Sequence, residues 1–128
     1  MKSLVIFLSL IFVGLFSSCG SKLQLATSTN SILGKWKLTE SLIDIGDGKG
    51  TWTKAEMNHY VKFNNDSTIE SNLYTDLKQY RLADSVTLIF VREDLSELKY
   101  RYAIKDSGLE LNPPCIEACG SRFIRVDD

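Results

Sequence analysis

Between Gly34 and Ile43 apolar and polar positions alternate, with Trp36, Leu38 and Leu42 on one side and Lys35, Lys37, Thr39 and Ser41 on the other. A period of two marks a strand with one buried face. It returns in residues 60–64, 68–74, 78–82, 86–92, 97–105, 108–112 and 121–126, which makes eight expected strands. The pattern is cleanest where Leu98, Tyr100, Tyr102 and Ile104 oppose Lys99, Arg101, Ala103 and Lys105. Val61, Phe63, Ile69, Leu73, Tyr80, Leu82, Leu88, Phe90, Leu109 and Leu111 complete the expected interior. Residues 86–91 are apolar on both faces, so their outer face should meet a loop, a partner or a membrane surface. In the last strand Phe123 and Arg125 alternate with Arg122, Ile124 and Val126. Taking Phe123 and Arg125 as inward lets an arginine near the barrel end stack over Trp36.

The intervening segments are short and rich in turn formers: Asn64-Asn65-Asp66-Ser67, Ala83-Asp84-Ser85, Glu93-Asp94-Leu95-Ser96 and Asp106-Ser107-Gly108. None can hold the crossover that a parallel pair needs, so neighbours should be antiparallel. The expected fold is all-β, an eight-stranded antiparallel up-and-down meander closed into a barrel. Only residues 55–59 lean towards helix. Residues 44–50 are dense in glycine and aspartate and read as a turn or wide loop, with Trp52 following in an exposed context. Asp44 and Asp47 are too few for a calcium loop, and turn formation explains them.

Ahead of the barrel the character of the chain changes. Lys2 precedes an apolar run of thirteen residues, Leu4 to Phe16, broken only by Ser9 and Gly14. That is short for a membrane span and has the layout of an export signal. Phe16-Ser17-Ser18-Cys19 resembles the lipobox read by lipoprotein signal peptidase, with Phe16 where leucine is usual. The resemblance implies a signal peptide over residues 1–18, a lipidated Cys19, a polar tether to residue 31 and a barrel domain over 32–128. Ordinary cleavage and an uncleaved anchor are the alternatives. A diacylglyceryl group and a further acyl chain such as palmitate, each methylene adding about 0.8 kcal/mol, would make the attachment effectively permanent. By the sorting rule that travels with the resemblance, Gly20 in place of an aspartate implies the outer membrane. The absence of an acidic run after Cys19 implies its periplasmic face.

Beyond residue 18 the chain carries 14 basic and 16 acidic side chains with no basic stripe, which argues against nucleic acid and suits a small monomeric domain. His59 is the only histidine, and no serine or cysteine stands in a nucleophile elbow, so no enzyme activity and no cofactor is expected. Glu40 falls on the inward row by strict alternation. Buried there it must pair with Arg125 or Arg92, or hold the polar end of a ligand. Ser71 faces the same way, whereas Glu70 and Glu97 fall outward, so no second acid completes a glycosidase pair. Cys115 and Cys119 can be a disulfide pinning a bend, half a metal site or a redox pair. Two thiolates without a nearby histidine do not complete a zinc shell, and the disulfide is the simplest reading in an exported chain.

Gly34-Lys35-Trp36-Lys37-Leu38, the turn Phe63-Asn64-Asn65-Asp66, the late cysteine bend and Arg125 opposite Trp36 together resemble the short lipocalin-like domains of exported lipoproteins of the Bacteroidetes group. The likeness covers residues 32–126. It implies a barrel that holds a small hydrophobic or amphipathic molecule, with Trp36, Glu40, Trp52, Tyr60, Phe63, Ser71, Tyr80, Tyr100, Tyr102 and Arg125 as candidate contacts. The chain is shorter than full-length lipocalins and lacks their helix after the barrel. The other expectation is therefore a filled barrel that acts as an interaction or inhibitor protein through its surface loops.

Overall fold

A computed structural model describes residues 30–44, 46 and 48–127. The expected signal peptide, Cys19 and most of the tether lie outside the described residues. Nine strands follow: β1 (Gly34–Ile43), β2 (Thr51–Lys54), β3 (Tyr60–Phe63), β4 (Ile69–Ser71), β5 (Leu77–Leu82), β6 (Thr87–Arg92), β7 (Glu97–Lys105), β8 (Gly108–Asn112) and β9 (Cys119–Val126). All pairings are antiparallel, in the order β4-β3-β1-β9-β8-β7-β6-β5, with β2 also on β1. The expected meander is there, in eight staves, one of them split. β3 pairs the first half of β1, from Gly34↔Phe63 to Lys37↔Tyr60, and β2 pairs its second half, from Glu40↔Lys54 to Ile43↔Thr51. Thr51–Lys54 is thus a strand where the alternation suggested only loop.

Between these halves, residues 55–59 swing out and return without forming a helix. The backbone ladder is kept at both edges of the excursion, where Leu38 N donates to His59 O (2.9 Å) and Ala55 N to Thr39 O (2.8 Å). On its other side β1 pairs β9 and closes the barrel. The opposite seam, β4 to β5, is narrow. It rests on the Thr68↔Gln79 bridge, a bond from Tyr80 N to Ser67 O (2.9 Å) and a bond from the Tyr80 hydroxyl to Asn64 O (2.7 Å). β4 is shorter than expected because the Ser71 hydroxyl accepts from both Leu73 N and Tyr74 N and turns the chain there.

Trp36, Val61, Phe63, Leu88, Phe90, Leu109, Leu111 and Phe123 are essentially without exposure and form the centre of the core. At roughly 1.5–3 kcal/mol per large apolar side chain, these residues dominate the stability. One end of the barrel is closed by the segment that enters β1. The Trp36 indole donates to Ile32 O (2.7 Å), Ile32 is itself buried, and the Arg125 guanidinium lies 4.2 Å from the Trp36 ring centroid. Arg125 also donates to Leu33 O (2.5 Å) and to Ser31 O. Gly34, at φ +106°, lets the chain bend under this arginine, and a Cβ there would stand 3.0 Å from the Arg125 Nη1.

Three expectations about sidedness change. Leu82 shares the inward row with Leu88 but sits at a strand end and is half exposed. Leu77, expected to lie outside the fifth strand, begins it and is buried, because a register shift after Leu77 brings it inward. On the doubly apolar β6 the chain itself covers part of the outer face. Ile89 is buried because Arg81 on β5 and Glu97 on β7 meet across β6 in a two-oxygen ion pair (3.0 and 3.1 Å), and their stems lie over it.

Candidate functional site

The largest departure from strict alternation lies in β1. Leu38 pairs Phe123, but Glu40 pairs Arg122, so Thr39 is an extra residue, a β-bulge whose hydroxyl donates to Arg122 O (3.0 Å). Beyond it every side chain of β1 changes face. Glu40 and Leu42, expected inside, point outward, and Ser41 turns in beside Ser121. Glu40 accordingly pairs with neither Arg125 nor Arg92. Arg122 donates to Glu40 (3.2 Å) and to Glu110 (3.1 Å), while its guanidinium lies 3.7 Å from the centroid of Trp52 on β2. The hydrogen bonds to Glu110 first, and to Glu40 second, push the Arg122 pKa up. Trp52 reaches this position because Gly120 lies beneath it. A Cβ on Gly120 would come within 2.6 Å of Asn112 Oδ1 and 3.1 Å of the indole.

Arg122 and Glu110 of this cluster also line a groove of 470 Å³ on the outside of β7, β8 and β9, together with Ala103, Lys105 and Ile124. A tryptophan carrying a clamped, flat guanidinium is a preorganised contact surface. Tryptophan and arginine are also the residue types that most often carry binding energy between proteins. Sequence reasoning missed Arg122. The only sign of it was a carboxylate, Glu40, on a row that otherwise looked apolar.

Inside the barrel, the aromatic candidates are packed against one another. Phe63 meets Tyr80 edge-on (centroids 4.9 Å apart) and stacks towards Phe90 (6.2 Å); Phe90 meets Tyr100 edge-on (4.8 Å), and Tyr74 contacts both Phe90 and Tyr100 (6.3 Å each). Tyr74, which alternation placed outside, is carried in by the turn at Ser71, and its hydroxyl reaches across to Ser121 Oγ (3.4 Å). Burial pushes the Tyr74 phenol up to about 12 and raises those of Tyr80 and Tyr100. Tyr102 packs at the edge of this cluster, with its hydroxyl donating to Asp84 O (3.3 Å). The Ser71 hydroxyl is committed to Tyr60 O (2.7 Å) as well as to the turn. Tyr60 itself lies on the outer face, under the Lys35 ammonium (5.0 Å from the ring centroid).

The sequence candidates thus separate. Trp36, Phe63, Ser71, Tyr80, Tyr100, Tyr102 and Arg125 belong to the interior or its closed end, whereas Glu40, Trp52 and Tyr60 belong to the outer wall. Cys115 and Cys119 are joined as a disulfide, with Cα atoms 6.2 Å apart, at the end of the barrel opposite the Arg125 cap. Asp44 caps its own loop, its carboxylate accepting from Gly46 N (2.9 Å) and Gly48 N (3.2 Å), in keeping with the turn reading; Asp47 lies outside the described residues. Among the described residues no group of three or more histidine, cysteine, aspartate or glutamate side chains is placed to hold a metal ion. No protein-family model matches the chain, and no curated protein matches it.

Proposed function

We propose that this chain is a non-catalytic cell-envelope lipoprotein, a short lipocalin-like barrel anchored through Cys19, that works by binding a protein partner on its outer surface. The observation that carries the reading is the aromatic column Tyr80–Phe63–Phe90–Tyr100–Tyr74, which occupies the space where a lipocalin would hold its ligand. A small hydrophobic molecule would have to displace Tyr74 and its contact with Ser121 to enter. The outer Trp52–Arg122 cluster offers a rigid surface at no such expense. Its charges are tied within the cluster, so recognition there rests on shape and apolar area around a fixed ion-paired centre.

Native mass spectrometry of the protein purified from envelope extract, before and after incubation with fatty acids, tests the interior. The expected result is the bare mass. A stoichiometric small-molecule adduct that is released on unfolding overturns the proposal in favour of a carrier. Crosslinking in the intact envelope tests the surface. The expected crosslinked species is lost in Trp52→Ala and Arg122→Ala variants that keep the wild-type melting curve, and a crosslinked species unchanged by both removes this face from consideration.

A further inference from the structure

A second recess, of 380 Å³, opens on the other flank of β1, and its lining has a different chemistry: Lys35, Lys37, Asn58, His59, Tyr60 and Val126. Among the described residues no acidic side chain lines it. The cross-strand register explains why the lysines stay uncompensated, since Lys35 lies between Val126 and Lys62, and Lys37 between Ile124 and Tyr60. Lys62 in turn faces Glu70 on β4. Elsewhere on the barrel wall arginines and lysines meet carboxylates at this range: Arg81 with Glu97, Lys78 with Glu93, Arg92 with Asp76 and Arg122 with Glu40 and Glu110.

The recess is also built rather than incidental. Asn72 pins its floor by accepting from Tyr60 N (2.8 Å) and donating to Asn58 O (3.0 Å), and the His59 carbonyl is held by Leu38 N (2.9 Å). Tyr60 fixes the Lys35 ammonium over its ring. His59 also lines the recess, and its Nδ1 is buried with no hydrogen-bond partner among the described residues.

We propose that this recess binds an oxyanion of the phosphate class, held by the Lys35 and Lys37 ammonium groups with the Asn58 amide and the His59 imidazole beside them. The chemistry is that of charge-assisted hydrogen bonds converging on one anionic group, and it serves a free phosphate monoester or the headgroup of an anionic phospholipid equally well. The site is independent of what fills the barrel interior, because none of the interior aromatics lines it.

The test is a nuclear magnetic resonance titration of the full isotope-labelled chain in neutral maltoside micelles. Inorganic phosphate is one probe and the short-chain lipid dihexanoyl-phosphatidylglycerol the other, each at ionic strength balanced with chloride. Saturable shifts confined to the amides of Lys35, Lys37, Asn58, His59 and Tyr60 on adding phosphate are expected for a free-phosphate site. The same shifts with the lipid alone assign a headgroup. In either case the Lys35→Gln, Lys37→Gln double variant binds about tenfold more weakly, and Lys99→Gln on the far wall binds as the wild type does. Shifts spread over all surface lysines, an equal response to chloride, or a double variant that responds like the wild type overturns the proposal.

Discussion

Arg125 does three things with one side chain: it covers the Trp36 ring, caps the carbonyls of Ser31 and Leu33, and thereby fastens the entering segment across the barrel end. Arg125→Ala should lower the unfolding free energy by about 2–4 kcal/mol in denaturant titrations. Arg125→Lys should recover less than half, since an ammonium has neither the flat face nor the fork. Trp36→Ala removes a fully buried indole and should cost about 3–5 kcal/mol; a wild-type melting curve would show that the closed end is not part of the core. Leu95 presents the reverse case. It is 82% exposed and sits at φ +67°, where a leucine side chain is strained and gains no packing in return. Leu95→Gly should raise the melting temperature, by an amount equivalent to up to about 1 kcal/mol.

At the scale of the strand, the single extra residue Thr39 decides which groups reach the outer wall. Alternation placed most of the core on its correct rows, including Val61, Phe63, Leu88, Phe90, Leu109, Leu111 and Phe123, because a period of two is a local property. The bulge was not legible. Leu38 and Leu42 keep an apolar look on either side of it, and the register shift is visible only against Arg122 on a strand about eighty residues away. The Trp52–Arg122 cluster was hidden for the same reason, while the Trp36–Arg125 pair, on the unshifted part of β1, could be anticipated. Gly120→Ala should displace Trp52 from the sheet and destabilise by about 1–3 kcal/mol. The measurement that checks this is indole fluorescence together with a denaturant midpoint; an unchanged emission spectrum would place the tryptophan elsewhere. Like Asp44, three further turn aspartates have a carboxylate that accepts from the backbone two residues on: Asp66, Asp84 and Asp94. Hydrogen bonds from Thr68, from Val86 and Thr87, and from Ser96 hold these carboxyls below the usual range.

For the molecule as a whole, these shifts set both ends of the pH profile. The turn aspartates have folded pKa values below their unfolded ones. Their stabilisation is present above the ordinary carboxylate range, near pH 4, and is lost as pH falls through the depressed folded values. The buried tyrosines run the other way. With the folded Tyr74 pKa at about 12, stability is intact below the ordinary phenol value and is lost as pH climbs towards 12, because the unfolded chain ionises first. Melting temperatures recorded across pH 9–12 should fall steeply in the wild type and less steeply in Tyr74→Phe. Parallel curves would mean that the phenol is not sealed in the core.

Closure of the barrel between β1 and β9 also has a kinetic meaning. β1 cannot satisfy its outer edge until the eight residues of Cys119–Val126 arrive, so the decisive contact is among the most distant in sequence within the described fold. Such a chain pays its loop-closure entropy late and folds slowly for its size. Until then Trp36 lacks its arginine and β1 offers an open edge, a template for aggregation that a holding chaperone would have to shield. The same delay keeps the polypeptide threadable. A domain that cannot seal before its last strand emerges is suited to passing through a narrow channel as an unfolded chain and becoming a barrel only on the other side.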